Sequence, residues 1–147
     1  MNRYCTTFYF IFFLTLMSCQ INPKPIDYGA DGCHYCQMTI VDKLHASQIV
    51  NQKGKAYKFD AIECMVRFSY AQDTTTIALY LCNSYLVPEK LIDAKRATYL
   101  ISKNIPSPMG ANLSAFQSEK EARIVQKEKG GKIYSWETLL KNLSENP

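Results

Sequence analysis

Apolar and polar residues alternate along this chain in short blocks, and the length and period of each block predict its elements. One block stands apart: "FYFIFFLTLMS", Phe8–Ser18, is almost wholly apolar over eleven residues. A bilayer span takes about 20 apolar residues, so this run is too short to cross. Arg3 ahead of it and the small Ser18 at its end predict a secretory signal peptide over residues 1–18. The run that follows, "QINPKPIDYGADG", is polar and holds two prolines and two glycines. It predicts a flexible tether over residues 19–32.

Beyond it the pattern predicts one domain, residues 33–147. "MTIVDKLHASQIV" is rich in β-branched residues and predicts a strand, or a strand with a bend; "KAYKF" alternates after Gly54 and predicts its hairpin partner. "DAIECMVRFSYAQ" predicts a helix with Ile62, Met65, Val66 and Ser69 on one face, and Asp60 and Glu63 in capping-box spacing at its start. "TTIALYLCNSYLV" predicts a strand. "RATYLIS" and "MGANLSAFQ" predict two more strands. "SEKEARIVQKEKGG" predicts a helix capped by Ser118 and Glu121 and stopped at Gly130-Gly131. "KIYSW" predicts a short strand and "ETLLKNL" a closing helix with Leu139, Leu140 and Leu143 inward. Strand, strand, helix, strand thus occurs twice, over about residues 33–87 and 95–147. The expected fold class is α+β: two pseudo-symmetric ββαβ-type units, a mostly antiparallel sheet, and helices on one side of it.

Charge changes this picture little. The net charge is +4, with basic residues dispersed among acidic ones and no run of five like charges, which argues against nucleic acid as a partner. Sulfur changes it more. The last residues of the apolar block, "LMSC", resemble a bacterial lipobox, so Cys19 is the expected lipidation site and first mature residue. The protein is then expected in the cell envelope, lipid-anchored to a membrane and facing the periplasm. Envelope compartments permit disulfides. Cys33, Cys36, Cys64 and Cys82 remain, and their pairing is not legible from spacing.

"DGCHYCQM", Asp31–Met38, concentrates the chemistry. Haem attachment needs C-x-x-C-H, and Gln37 follows Cys36. A structural zinc site needs four ligands, usually with a second paired motif that the sequence lacks. A redox dithiol at Cys33 and Cys36 fits an envelope thiol–disulfide oxidoreductase, although such motifs usually open a helix. Cu(I) is soft and is selected by thiolate and thioether sulfur. Cys36 and Met38, two apart on a strand, would share a face and converge on one ion. Disulfide pairing of Cys33 with Cys36 and simple core packing of any of these side chains remain open. Cys64, Met65 and Cys82 are expected in the core, His34 and His45 at the surface, and Glu63 as a cap. Neither paired carboxylates nor a G-x-S-x-G turn suggests an enzyme.

"CHYCQM", "YKFDAIECM" and "SPMGANLSAFQSEKEARIVQKEKGGKIYSWETLL" together resemble the NosL family, the accessory proteins of nitrous oxide reductase. The likeness covers most of the chain after Cys19. Its motif is commonly C-x-x-C-G-M, followed later by P-M-G. Cys33, Cys36 and Met38 match the first; Pro108, Met109 and Gly110 match the second; Gln37 stands where the glycine is usual. The resemblance implies a lipoprotein copper chaperone of two related units. Its cargo would be Cu(I), held by Cys36, Met38 and Met109 with Cys33 and His34 as possible additional metal or redox residues; were Met38 and Met109 far apart, Cys36 would have to find its partners among His34, Cys33 and Cys64. Its partner would be nitrous oxide reductase or its copper-loading membrane machinery.

Overall fold

The computed structural model describes residues 21–145, so the predicted signal peptide and Cys19 lie outside the described residues. Seven strands form one sheet. They are β1 (Ser47–Asn51), β2 (Ala56–Phe59), β3 (Ile77–Ser84), β4 (Val87–Asp93), β5 (Thr98–Ile101), β6 (Leu113–Phe116) and β7 (Lys132–Tyr134), in the order β2-β1-β3-β6-β5-β7, with β4 also paired to β3. Three helices accompany them: α1 (Ile62–Tyr70), α2 (Glu119–Lys129) and α3 (Trp136–Glu145). Every strand pairing is antiparallel except the short parallel join of β3 to β6 at Ser84 and Ala115. The class is α+β, as expected. Among the described residues no helix is long and apolar enough to cross a membrane.

Local chemistry explains most element ends. The β1–β2 hairpin turns where the Asn51 side chain accepts from the amides of Lys53 and Lys55 and Gly54 takes φ 77°. Ser118 and Glu121 form the expected capping box on α2. That helix ends at Gly130, and at Gly131 an added Cβ would collide with the Ile101 carbonyl. The apolar faces of α1 and α3 are buried as predicted, except that Leu140 is only half-buried.

Several expectations fail. The strand expected from Met38 to Val50 begins only at Ser47, because Asp42 turns the chain by accepting from the amides of Leu44 and His45. β4 occupies almost wholly the stretch between the two expected units, where no element was expected. The helices cover both faces of the sheet, not one. Tyr99 and Leu100 are neighbours on β5, yet Tyr99 joins the larger core under α1 and α3 while Leu100 joins a second core under α2. Alternate strand residues face opposite ways, so both faces are covered. Helix α1 has Ala61 at its N-cap with no side-chain cap, and neither Asp60 nor Glu63 forms the expected box. The stretch read as a tether is docked from Lys24 onward, where backbone N–H and carbonyl both bond the buried Gln48 side chain at 2.8 Å.

Each half runs strand, strand, helix, strand, with its first strand between its second and third. The halves meet through unlike strands, the third of one beside the second of the other, and β4 and α3 have no counterparts.

Candidate metal centre

Residues 33–38 form a closed loop rather than a strand. The Cys33 N–H donates to the Met38 carbonyl at 2.8 Å, and the Gln37 N–H donates to the Cys33 carbonyl at 3.0 Å. The second bond needs Gln37 at φ 65°, in the left-handed region that favours glycine. Cys36 therefore sits on a turn, and the strand alternation expected to align it with Met38 does not operate. The loop is fixed to β2 by the His34 N–H, which donates to the Lys58 carbonyl at 2.9 Å, and by an ion pair between Lys58 and Asp31.

This docking carries the loop to the start of α1, where Cys64 lies in the first turn. The sulfurs of Cys33, Cys36 and Cys64 all lie within 4.8 Å of one another. All three are free thiols. Cys33 and Cys64 are each 1% exposed, while Cys36 is half-buried and forms the outer edge.

Electrostatics divide the three unequally. The Cys33 thiol is pulled down to about 4, chiefly by the hydrogen bond from Cys64; burial opposes this, and backbone hydrogen bonds from Cys36, Asp60 and Tyr35 reinforce it. Cys64 is pushed far up by that same bond, then by burial. Cys36 is pushed up, first by burial and further by the neighbouring Cys33. The cluster thus presents one thiolate and two thiols at neutral pH. Burial and the nearby Cys33 charge also push Asp60 up. A metal–thiolate bond of about 2.3 Å puts the sulfurs of a planar three-coordinate site about 4 Å apart. Small side-chain rotations would close this cluster on one ion.

Of the residues expected to ligate, the structure brings Cys36 and Cys33 together and adds Cys64. His34 is not part of the group; its exposed ring has Nδ1 3.3 Å from the Lys58 carbonyl and its edge against Tyr57. Met38 is 55% exposed at the mouth of the loop. Met109 is half-buried against the main core, in a turn closed by the Gly110 N–H donating to the Ser107 carbonyl. That turn is held against α1 by Glu63, whose carboxylate accepts from the Ser107 hydroxyl at 2.8 Å and the Ala111 N–H at 3.3 Å. Glu63 is therefore a clamp between the halves and not a helix cap. Helix periodicity hid Cys64, because its place beside Met65 and Val66 looks like core.

Cys82 stands apart in β3, 3.9 Å from the Tyr99 hydroxyl, and burial pushes it up to about 12. His45 is not a surface residue. It is 2% exposed, with Nδ1 2.9 Å from Asp42 and Nε2 3.1 Å from the Ser114 hydroxyl. The Asp–His–Ser order matches a hydrolase relay, but Ser114 is fully buried within β6, so the group is a polar clasp.

A family model described as NosL matches residues 25–143. The crystal structure of the copper chaperone NosL from Shewanella denitrificans is similar, with a TM-score of 0.67 at 19% identity, over 80% of this chain and 95% of that one. At that identity the likeness concerns the fold. No curated protein matches the sequence.

Proposed function

The chain belongs to the NosL family, and from that premise we propose that it is a Cu(I) carrier of the cell envelope that delivers copper for assembly of nitrous oxide reductase. The observation that carries this reading is the group of three free sulfurs within 4.8 Å, two buried and one at the surface. Soft, thiolate-rich sites with few ligands suit Cu(I) and offer zinc no fourth partner. Cys36, at the edge, meets the incoming ion. Met38 at the loop mouth and Met109 on the clamped turn supply thioethers along the path, weak enough to pass the ion on. Cys19 would carry the lipid that holds the domain at the membrane, beside the copper-loading machinery or the reductase itself.

The test is anaerobic Cu(I) titration of the reduced protein against a chromophoric chelator. One tightly bound Cu(I) per chain is expected, lost in Cys36→Ser and lost when the thiols are oxidised to a disulfide. Equal binding by the oxidised protein, or copper-independent disulfide reductase activity, would overturn the reading in favour of a thiol–disulfide oxidoreductase. In cells, Cys19→Ala should abolish labelled-lipid incorporation and membrane partitioning.

A further inference from the structure

We propose that Cys64 is a metal ligand, and that the loaded site is a three-thiolate centre of Cys33, Cys36 and Cys64 for a soft, three-coordinate monovalent ion. The proposal rests on the copper reading above and names the ligand set of that site.

Three observations lead to it. Cys64 is 1% exposed, yet its sulfur faces two other sulfurs, whereas a packing cysteine normally faces hydrocarbon. It lies in the first turn of the nine-residue α1, where the partial positive charge of the helix N-terminus favours a thiolate. The sulfurs come from two elements joined by backbone bonds, the loop through His34 and Lys58 and the helix through the strand that precedes it, so their spacing is built into the hairpin. Among the described residues no histidine, carboxylate or further cysteine joins the group, so a fourth hard or borderline donor for Zn²⁺ is missing while the requirement of Cu(I) or Ag(I) is met.

The arrangement also says how the ion leaves. Cys33 and Cys64 close the inner side and only Cys36 borders solvent. An acceptor sulfur would add to the ion from the Cys36 side, and the bond to Cys36 would then break. The same exchange then repeats at Cys33 and Cys64; each forms one metal–sulfur bond and breaks one, Cys36 and Cys64 take back their protons on release, and the metal keeps its oxidation state.

The test is X-ray absorption spectroscopy at the copper edge on the reduced full-length protein, labelled with selenomethionine and loaded anaerobically with one equivalent of Cu(I). Selenium marks any methionine in the copper shell and leaves sulfur to report cysteine alone. Three sulfur scatterers are expected. Two or fewer, with or without selenium, overturn the proposal while leaving the protein a Cu(I) carrier. Failure of the wild type to bind Cu(I) would instead overturn the functional reading itself. As a second measurement, Cys64→Ala, checked for folding by its thermal transition, should bind Cu(I) at least about tenfold more weakly. Wild-type affinity in folded Cys64→Ala would count against Cys64 as a ligand.

Discussion

At the scale of single residues, the cysteine loop is shaped by the conformation of Gln37 and by unequal protonation. Gln37 occupies a left-handed position with φ 65° where the family pattern has glycine, and a side chain there costs about 1 kcal/mol. Its amide reaches the His34 carbonyl at 3.4 Å, a long bond that recovers little. Gln37→Gly is expected to stabilise the protein by about 0.5 kcal/mol, after the greater freedom of glycine in the unfolded chain is subtracted; denaturant unfolding checks this, and a loss of stability would show that the amide contact matters more than the strain. Protonation gives a sharper prediction. Cys33, down at about 4, is already a thiolate at neutral pH, while Cys36 and Cys64 are raised above 9.0 and keep their protons. Cu(I) must displace those two protons, so affinity rises with pH. Between about pH 6 and 8 the logarithm of the affinity should climb by about 2 per pH unit with three thiolates, and by about 1 if thioethers replace Cys64. Competition titrations at several pH values distinguish the two. The motif made Cys33 and Cys36 legible in the sequence. Cys64 was legible only as a fallback partner of Cys36, and Glu63 and His45 not at all, since each acts across a long sequence separation and each has an ordinary local explanation: core, cap or surface.

At the scale of elements, legibility follows how far local chemistry alone decides the structure. Helix α2 was readable end to end, because its capping box, its Lys-rich last turn and the Gly130-Gly131 stop are all local signals. Ser118→Ala should therefore cost about 1 kcal/mol, read as a lowered denaturation midpoint. No change would mean that packing of Ala122 and Val125 alone fixes that end. Strand β4 was unreadable for the opposite reason. "VPEKLID" holds a proline and three charges and is mostly exposed, with only Ile92 buried, and it is a strand because β3 offers it a free edge. The early part of Met38–Val50 failed similarly: its β-branched residues suggested a strand, but the Asp42 carboxylate bonds the following amides and bends the chain away.

At the scale of the molecule, the two halves are held together by little sheet and by specific side chains. The β3–β6 join pairs only Ser84 with Ala115, supplemented by the Tyr85 N–H donating to the Ala115 carbonyl at 2.8 Å. Polar links also cross, among them the Tyr70 hydroxyl donating to the Leu140 carbonyl at 3.1 Å, and two of them bear on the site and the sheet. Glu63 on the first half grips the Met109 turn of the second, and His45 on the first grips Ser114 of the second. The repeated ββαβ order was readable from pattern; the way the halves lock was not, because hydrophobic periodicity carries no information about which buried polar groups meet. The clasp at His45 makes this testable apart from metal binding. Replacing His45 with alanine leaves an Asp42 oxygen and the buried Ser114 hydroxyl without their partner and opens a cavity behind β6. Each loss is worth about 1–3 kcal/mol, so a destabilisation of about 2–4 kcal/mol is expected in denaturant unfolding. His45 is absent from the three-sulfur group, so under native conditions the variant should still bind one Cu(I). Unfolding should remain a single transition, since the main core spans both halves, from Ile49 and Ile62 in the first to Leu113 and Leu139 in the second. A variant as stable as the wild type would show that the small sheet join and that shared core suffice, and that the clasp only orients the Asp42 turn.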